Sequence, residues 1–190
     1  MYRFSFSAAL ARINKMAPRT DRMMHQAMNE MQLMSFYNAA LPPVSIPSAD
    51  TAPTHQASVD LLLDQQPWVL TGHKPVNVAG DGNCLMRAVS YAMYGSELFH
   101  EHLRLLAVIE VLMNRDLYDC RSSSFYAPYK ADPYLQLPDY VTFVSELARA
   151  NSYCDMLGVL ALSSVIRKAI QTCWPLTVRV GEQAPMTNRV

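Results

Sequence analysis

Apolar side chains recur with helical period over several stretches of the chain. Between Met23 and Tyr37, residues Met24, Met28, Met31 and Met34 follow one another at spacings of four, three and three, which predicts a helix with one apolar stripe. Such a stripe serves either as a packing face or as an adaptable binding surface, and packing is the commoner use. A second helix is predicted from Cys84 to Tyr94, with Leu85, Ala88, Val89, Ala92 and Met93 inward and Gly95 as its stop. Ser96 is placed to cap a third, Glu97 to about Met113. Its apolar residues occupy two faces (Phe99, Leu103, Leu106 and Met113; Leu98, Leu105, Val108 and Leu112), the pattern of a helix inside a core. Tyr140 to Ala150 predicts another helix, and Asp155 caps one reaching about Ile170 with Val159, Leu162, Ile166 and Ile170 in a stripe. Short apolar runs at Trp68-Val69-Leu70, Val76-Asn77-Val78 and Cys173 to Val180 predict strands. The expected class is α+β or α/β, a small central sheet flanked by helices.

Prolines organise the chain. Pro42, Pro43, Pro47 and Pro53, with Ser and Thr between them, have linker composition. They divide a helical or disordered N-terminal extension, residues 1–60, from a folded domain, residues 61–190, and predict that the extension is dispensable for folding. The first twenty residues carry Arg3, Arg12, Lys15 and Arg19 with no acid before Asp21. That composition is shared by mitochondrial presequences and, more commonly, by short basic helices or tails. Tyr118 to Pro138, with four tyrosines, Pro128 and Pro133, reads as a long ordered loop.

Composition narrows the function classes. Of 190 residues, 51% are hydrophobic and 17% charged, which suits a packed core and excludes a wholly disordered chain. Lys and Arg number 16, as do Asp and Glu, so the clustered uncompensated cations of a nucleic-acid-gripping protein are not indicated. No apolar run reaches the roughly 18 residues of a membrane span. Cys84, Cys120, Cys154 and Cys173 are widely spaced and form no CxxC pair, so no metal site and no cofactor is expected. Reduced thiols in the cytoplasm or nucleus fit this usage.

One segment carries chemistry: Gly80-Asp81-Gly82-Asn83-Cys84-Leu85-Met86-Arg87-Ala88-Val89-Ser90. A cysteine in the first helical turn lies where unpaired backbone N–H groups and the helix dipole favour a thiolate. The glycine turn before it frees further N–H groups to hold an oxyanion if that thiolate attacks a carbonyl. A buried structural cysteine behind an ordinary turn is the competing reading.

With Gly95 and His102-Leu103-Arg104 downstream, and Tyr153 to Ser163 as an aromatic followed by an ALA-type helix, this segment resembles the ovarian-tumour (OTU) family of cysteine proteases, most of all its vertnin-like branch. The resemblance extends from about Val69 to Val180. It implies a papain-like fold and hydrolysis of ubiquitin isopeptide bonds, with ubiquitin or a ubiquitin-like protein as partner. It makes Cys84 the nucleophile, Asp81 the acid of the motif, and the backbone N–H groups of Gly82, Asn83 and Cys84 the oxyanion hole. Met86 stands where an aromatic is usual.

The family's general base is a histidine on a strand after the ALA-type helix. This chain has His25, His55, His73, His100 and His102 and none after Leu103, so the base is not found. The domain is therefore expected to be incomplete at its C-terminal end or to lack its base. His100 and His102 point to different faces of their helix and suit packing or surface roles better than catalysis. The alternative function is a catalytically inactive OTU-like interaction module of a nuclear regulatory or transposon-derived protein.

Overall fold

Helix α5, His100–Met113, is the axis of the fold in this computed structural model, which describes residues 4–47, 52–124 and 138–171. Its all-round apolar sequence has the consequence expected of it. Leu103, Leu105, Ala107, Val108, Val111 and Leu112 are all buried, because neighbouring helices cover α5 on every side. Those neighbours are α1 (Phe6–Asn14), α2 (Thr20–Phe36), α4 (Cys84–Tyr94), α6 (Arg115–Tyr118), α7 (Tyr140–Leu147) and α8 (Met156–Ile166). A smaller unit stands beside them, in which α3 (Gln56–Gln65) packs against the 3-10 turn Pro67–Leu70.

The central sheet is a correction. Among the described residues there is no sheet, only one isolated antiparallel bridge between Thr54 and Val76. Trp68-Val69-Leu70 lies inside the 3-10 turn, where Pro67 sets the first φ and supplies no N–H to a ladder. At Val76 the facing chain begins with Pro53, so pairing stops after two flanking bonds, His55 N to Pro75 O (3.0 Å) and Asn77 N to Pro53 O (2.8 Å). The α+β class and the papain-like sheet therefore do not describe these residues. The strand expected over Cys173 to Val180 lies outside them, as do residues 125–137 of the expected loop.

Helix ends follow local chemistry. Ser96 accepts from Leu98 N (3.3 Å) at the start of the turn Glu97–Phe99, Asp139 caps α7, and Asp155 accepts from Gly158 N (3.1 Å) at α8. Gly95 ends α4 at φ +68°, in the left-handed region. Tyr118, at the end of α6, is buried and reaches Glu110 (3.2 Å) and Ser164 (3.3 Å) with its hydroxyl. Burial pushes that phenol up to about 12.

Residues before the proline-rich stretch lie inside the core. Ala9, Leu10 and Ile13 of α1 and Met23 and Ala27 of α2 are buried in the same cluster as Leu103 and Val108. The seam of α2 is displaced by one residue from the methionine stripe: Met23, Ala27 and Glu30 face inward, while Met28 and Met31 are each 43% exposed. Glu30 is fully buried because Arg12 of α1 clamps it through Nε (2.6 Å) and Nη2 (2.7 Å), with Gln26 adding a third donor (2.6 Å).

The docking of α1 on α5 includes a histidine. Phe6 stacks on His102 with ring centroids 4.2 Å apart, and Ser7 hydrogen-bonds Glu101. Burial pushes His102 down to about 4, so the folded protein holds it neutral. Between its ordinary value near 6.5 and about 4, the unfolded chain binds the extra proton. Stability from this site is thus complete above about pH 6.5 and is lost as the pH falls toward 4. A His102→Gln variant should show a flatter denaturation profile over that window; an unchanged slope would place the acid sensitivity elsewhere.

Candidate functional site

Cys84 is the first residue of α4 and is half-buried, the placement predicted for it. The turn before it is held from two directions. Gly82 has φ +81°, and a Cβ there would lie 2.1 Å from the carbonyl oxygen of Asn151, so only glycine allows this approach. Asn83 Nδ2 donates to Asn151 Oδ1 (2.6 Å), and Asn151 N returns a bond to Asn83 Oδ1 (3.4 Å). The turn is thereby fastened to the segment that leads into α8.

Arg104, the arginine of His102-Leu103-Arg104, makes the second attachment. It is 1% exposed, in the middle of α5, and its guanidinium donates to four backbone carbonyls. Nη2 reaches Gly82 O (3.0 Å) and Ser152 O (2.7 Å); Nη1 reaches Leu147 O (3.0 Å) and Arg149 O (3.3 Å). One buried cation thus joins the thiol-bearing turn, the end of α7 and the entry to α8. Its Nε is a buried donor with no acceptor among the described residues.

Asp81 does not face a histidine. Arg87, on the first turns of α4, grips its carboxylate through Nε (3.1 and 3.2 Å) and Nη2 (2.6 Å), and Asn83 adds donors from N (3.0 Å) and Nδ2 (3.3 Å). These donors, Arg87 foremost, hold the Asp81 carboxyl well below the usual carboxylate range. The same arginine extends to Glu97 (3.2 Å) and lies 3.4 Å from His100 Nδ1, which also faces Glu97 O at 2.7 Å. Asp81 therefore acts here as the anchor of a charged network that fixes the turn.

This network changes the expected oxyanion hole. Of Gly82, Asn83 and Cys84, the Asn83 N–H is already given to Asp81 Oδ1. The five histidines divide: His100 faces Arg87 and Glu97, His102 is packed under α1, His55 is bound to Ser58 (2.6 Å), His25 faces Asp21 O (2.7 Å), and His73 lines a cleft beside α4. Among the described residues no group of three His, Cys, Asp or Glu side chains could hold a metal ion, and no helix is long and apolar enough to cross a membrane.

The inward face of α4 is Met86, Val89, Ser90 and Met93, rather than the face bearing Ala88 and Ala92. Those two alanines, with Tyr91, line an open apolar cleft of about 400 Å³ together with Val76 and Val78. Ala88 lies one turn beyond Cys84, and His73 and Lys74 also belong to the lining, to which Cys84 itself does not contribute. Sequence reasoning missed Asn151 altogether, since it falls between two predicted helices. It noted Arg104 only as part of a pattern, although an arginine amid apolar neighbours is itself a signal of a buried cation held by hydrogen bonds.

No curated protein and no solved structure matches the chain. A family model described as the OTU domain of vertnin matches residues 75–136, which include the Asp81–Cys84 turn, α4 and α5. That match supports an OTU-like domain related to vertnin in this chain.

Proposed function

We propose that the chain presents an OTU-type thiol site to ubiquitin or a ubiquitin-like protein, with Cys84 as nucleophile and with little or no turnover by the chain on its own. The observation that carries this reading is Cys84 at the N-terminus of α4, half-buried behind a turn locked by Gly82, Asn151 and Arg104. On this reading the cleft along Ala88 and Ala92, one helical turn from Cys84, would receive part of an extended peptide tail. In isopeptide hydrolysis the thiolate sulfur would bond to the carbonyl carbon, the amine would leave with a proton, and water would release the acyl group. The proton transfers are the weak point, since no histidine follows Leu103, His100 and His102 are engaged elsewhere, and His73 lines the cleft without a contact to Cys84. Without a base the rate falls on the order of 10² to 10⁴.

A second reading, an inactive interaction module of a vertnin-like nuclear regulatory or transposon-derived protein, is favoured by Asp81 and the Asn83 N–H being committed to each other and to Arg87. Either reading belongs in the cytoplasm or nucleus, where free thiols persist.

A ubiquitin probe with a C-terminal electrophile separates the possibilities, because its capture needs a thiolate but no returned proton. Slow adduct formation, abolished by Cys84→Ala, with conjugate turnover at background, is the expected result. Binding of ubiquitin without any adduct would favour the module. Neither binding nor adduct would overturn the ubiquitin reading, and brisk Cys84-dependent turnover would show that a base does reach the thiol.

A further inference from the structure

We propose that Cys84 and Cys154 form a reversible dithiol–disulfide pair that a hydroperoxide closes. The pairing depends on where the two cysteines stand and not on ubiquitin hydrolysis, so its test contains no ubiquitin. Far apart in sequence, they are carried by two segments fastened face to face. Gly82 abuts Asn151, Asn83 and Asn151 exchange side-chain and backbone hydrogen bonds, and Arg104 Nη2 bridges Gly82 O and Ser152 O. Each thiol sits two residues past an atom held by that one guanidinium group.

The environment separates these cysteines from Cys120, which is buried at 1% exposure and donates its thiol to Tyr118 O (3.7 Å). Cys84 and Cys154 are each partly exposed. Burial pushes the Cys154 thiol up, Arg104 pulls it back, and Asp155 and a charge on Cys84 push it further, so the two sulfurs feel one another. Gly158 makes room for this arrangement, since a Cβ there would lie 2.8 Å from Cys154 Cβ.

Closure takes two balanced steps. The Cys84 thiolate attacks the hydroperoxide, the S–O bond forms as the O–O bond breaks, and the alcohol or water leaves with a proton. Sulfur is oxidised to the sulfenic acid and the peroxide is reduced. The Cys154 thiol, losing its proton, then attacks that sulfur: the S–S bond forms, the S–O bond breaks, and water departs. Two equivalents of an external thiol reverse the closure.

The test is stoichiometric hydrogen peroxide on the full chain, followed by non-reducing peptide mapping. A Cys84–Cys154 cross-link that dithiothreitol removes is expected, with Cys120→Ser behaving as wild type. In Cys154→Ser, Cys84 should instead stop at the sulfenic acid, trapped by dimedone, and proceed to the sulfinic acid only with a second equivalent of peroxide. The proposal is overturned if wild-type Cys84 over-oxidises without a cross-link, if it pairs with another cysteine, or if neither Cys84 nor Cys154 reacts. Because the deciding measurement uses the wild-type chain, a poorly folding variant does not rescue it.

Discussion

Replacing Arg104 with methionine should lower the folding free energy by about 3 to 5 kcal/mol, the largest single-residue loss expected in this protein. Methionine fills much of the same volume, so the packing of α5 is nearly kept. What disappears is the donor set for Gly82, Leu147, Arg149 and Ser152, leaving several buried carbonyls unpaired at about 1 to 3 kcal/mol each, less whatever they regain by relaxing. The effect should also be local. Once Gly82 O is released, the turn before α4 loosens, and alkylation of Cys84 should change more than that of Cys120. Urea denaturation and limiting iodoacetamide labelling read the two halves separately. A stability loss under about 1 kcal/mol would mean that these carbonyls find other partners, with water the first candidate.

Deleting residues 1–60 should abolish the cooperative thermal transition or lower its midpoint drastically. Composition led to the opposite expectation, because prolines 42 to 53 separate the segment from the remainder of the chain. The packing of α1 and α2 is the reason for expecting a loss. Leu10, Ile13 and Met23 each leave water almost completely, and at roughly 1.5 to 3 kcal/mol per large apolar side chain their loss removes about 5 to 9 kcal/mol. A whole domain is stable by only about 5 to 15 kcal/mol. The deletion would also uncover the side of α5 on which His102 meets Phe6. A truncated chain that melts at the full-length temperature would refute the shared core.

Legibility in the sequence followed the range of the interactions involved. Helix Cys84–Tyr94, the caps at Ser96 and Asp155, and the glycine stop at Gly95 depend on neighbours a few residues away and stand where periodicity and cap chemistry put them, whereas the helices expected to reach Ala150 and about Ile170 end earlier, at Leu147 and Ile166. The buried character of α5 was equally legible, because a helix apolar on every side has no face to offer water. The thiol at the start of α4 was legible for the same reason: a glycine turn before a helix is local.

The remainder depended on contacts between distant segments. Strand predictions at Trp68 and Val76 failed because a strand exists only with a partner, and the facing chain offers Pro53 and one bridge. The methionine stripe of α2 shows the same dependence. Several faces of that helix are apolar enough to pack, and the pairing of Glu30 with Arg12 turned Met23 and Ala27 inward instead. Around the thiol, the sequence by itself determined the helix, the turn and the identity of Cys84. Only the tertiary structure decided that Asp81 belongs to Arg87, that the Asn83 N–H is already spent on Asp81, and that Arg104 and Asn151 hold the turn. The physical reason is that a hydrogen bond between segments far apart along the chain is written in no local pattern: it appears only when burial brings a donor and an acceptor together and leaves neither access to water.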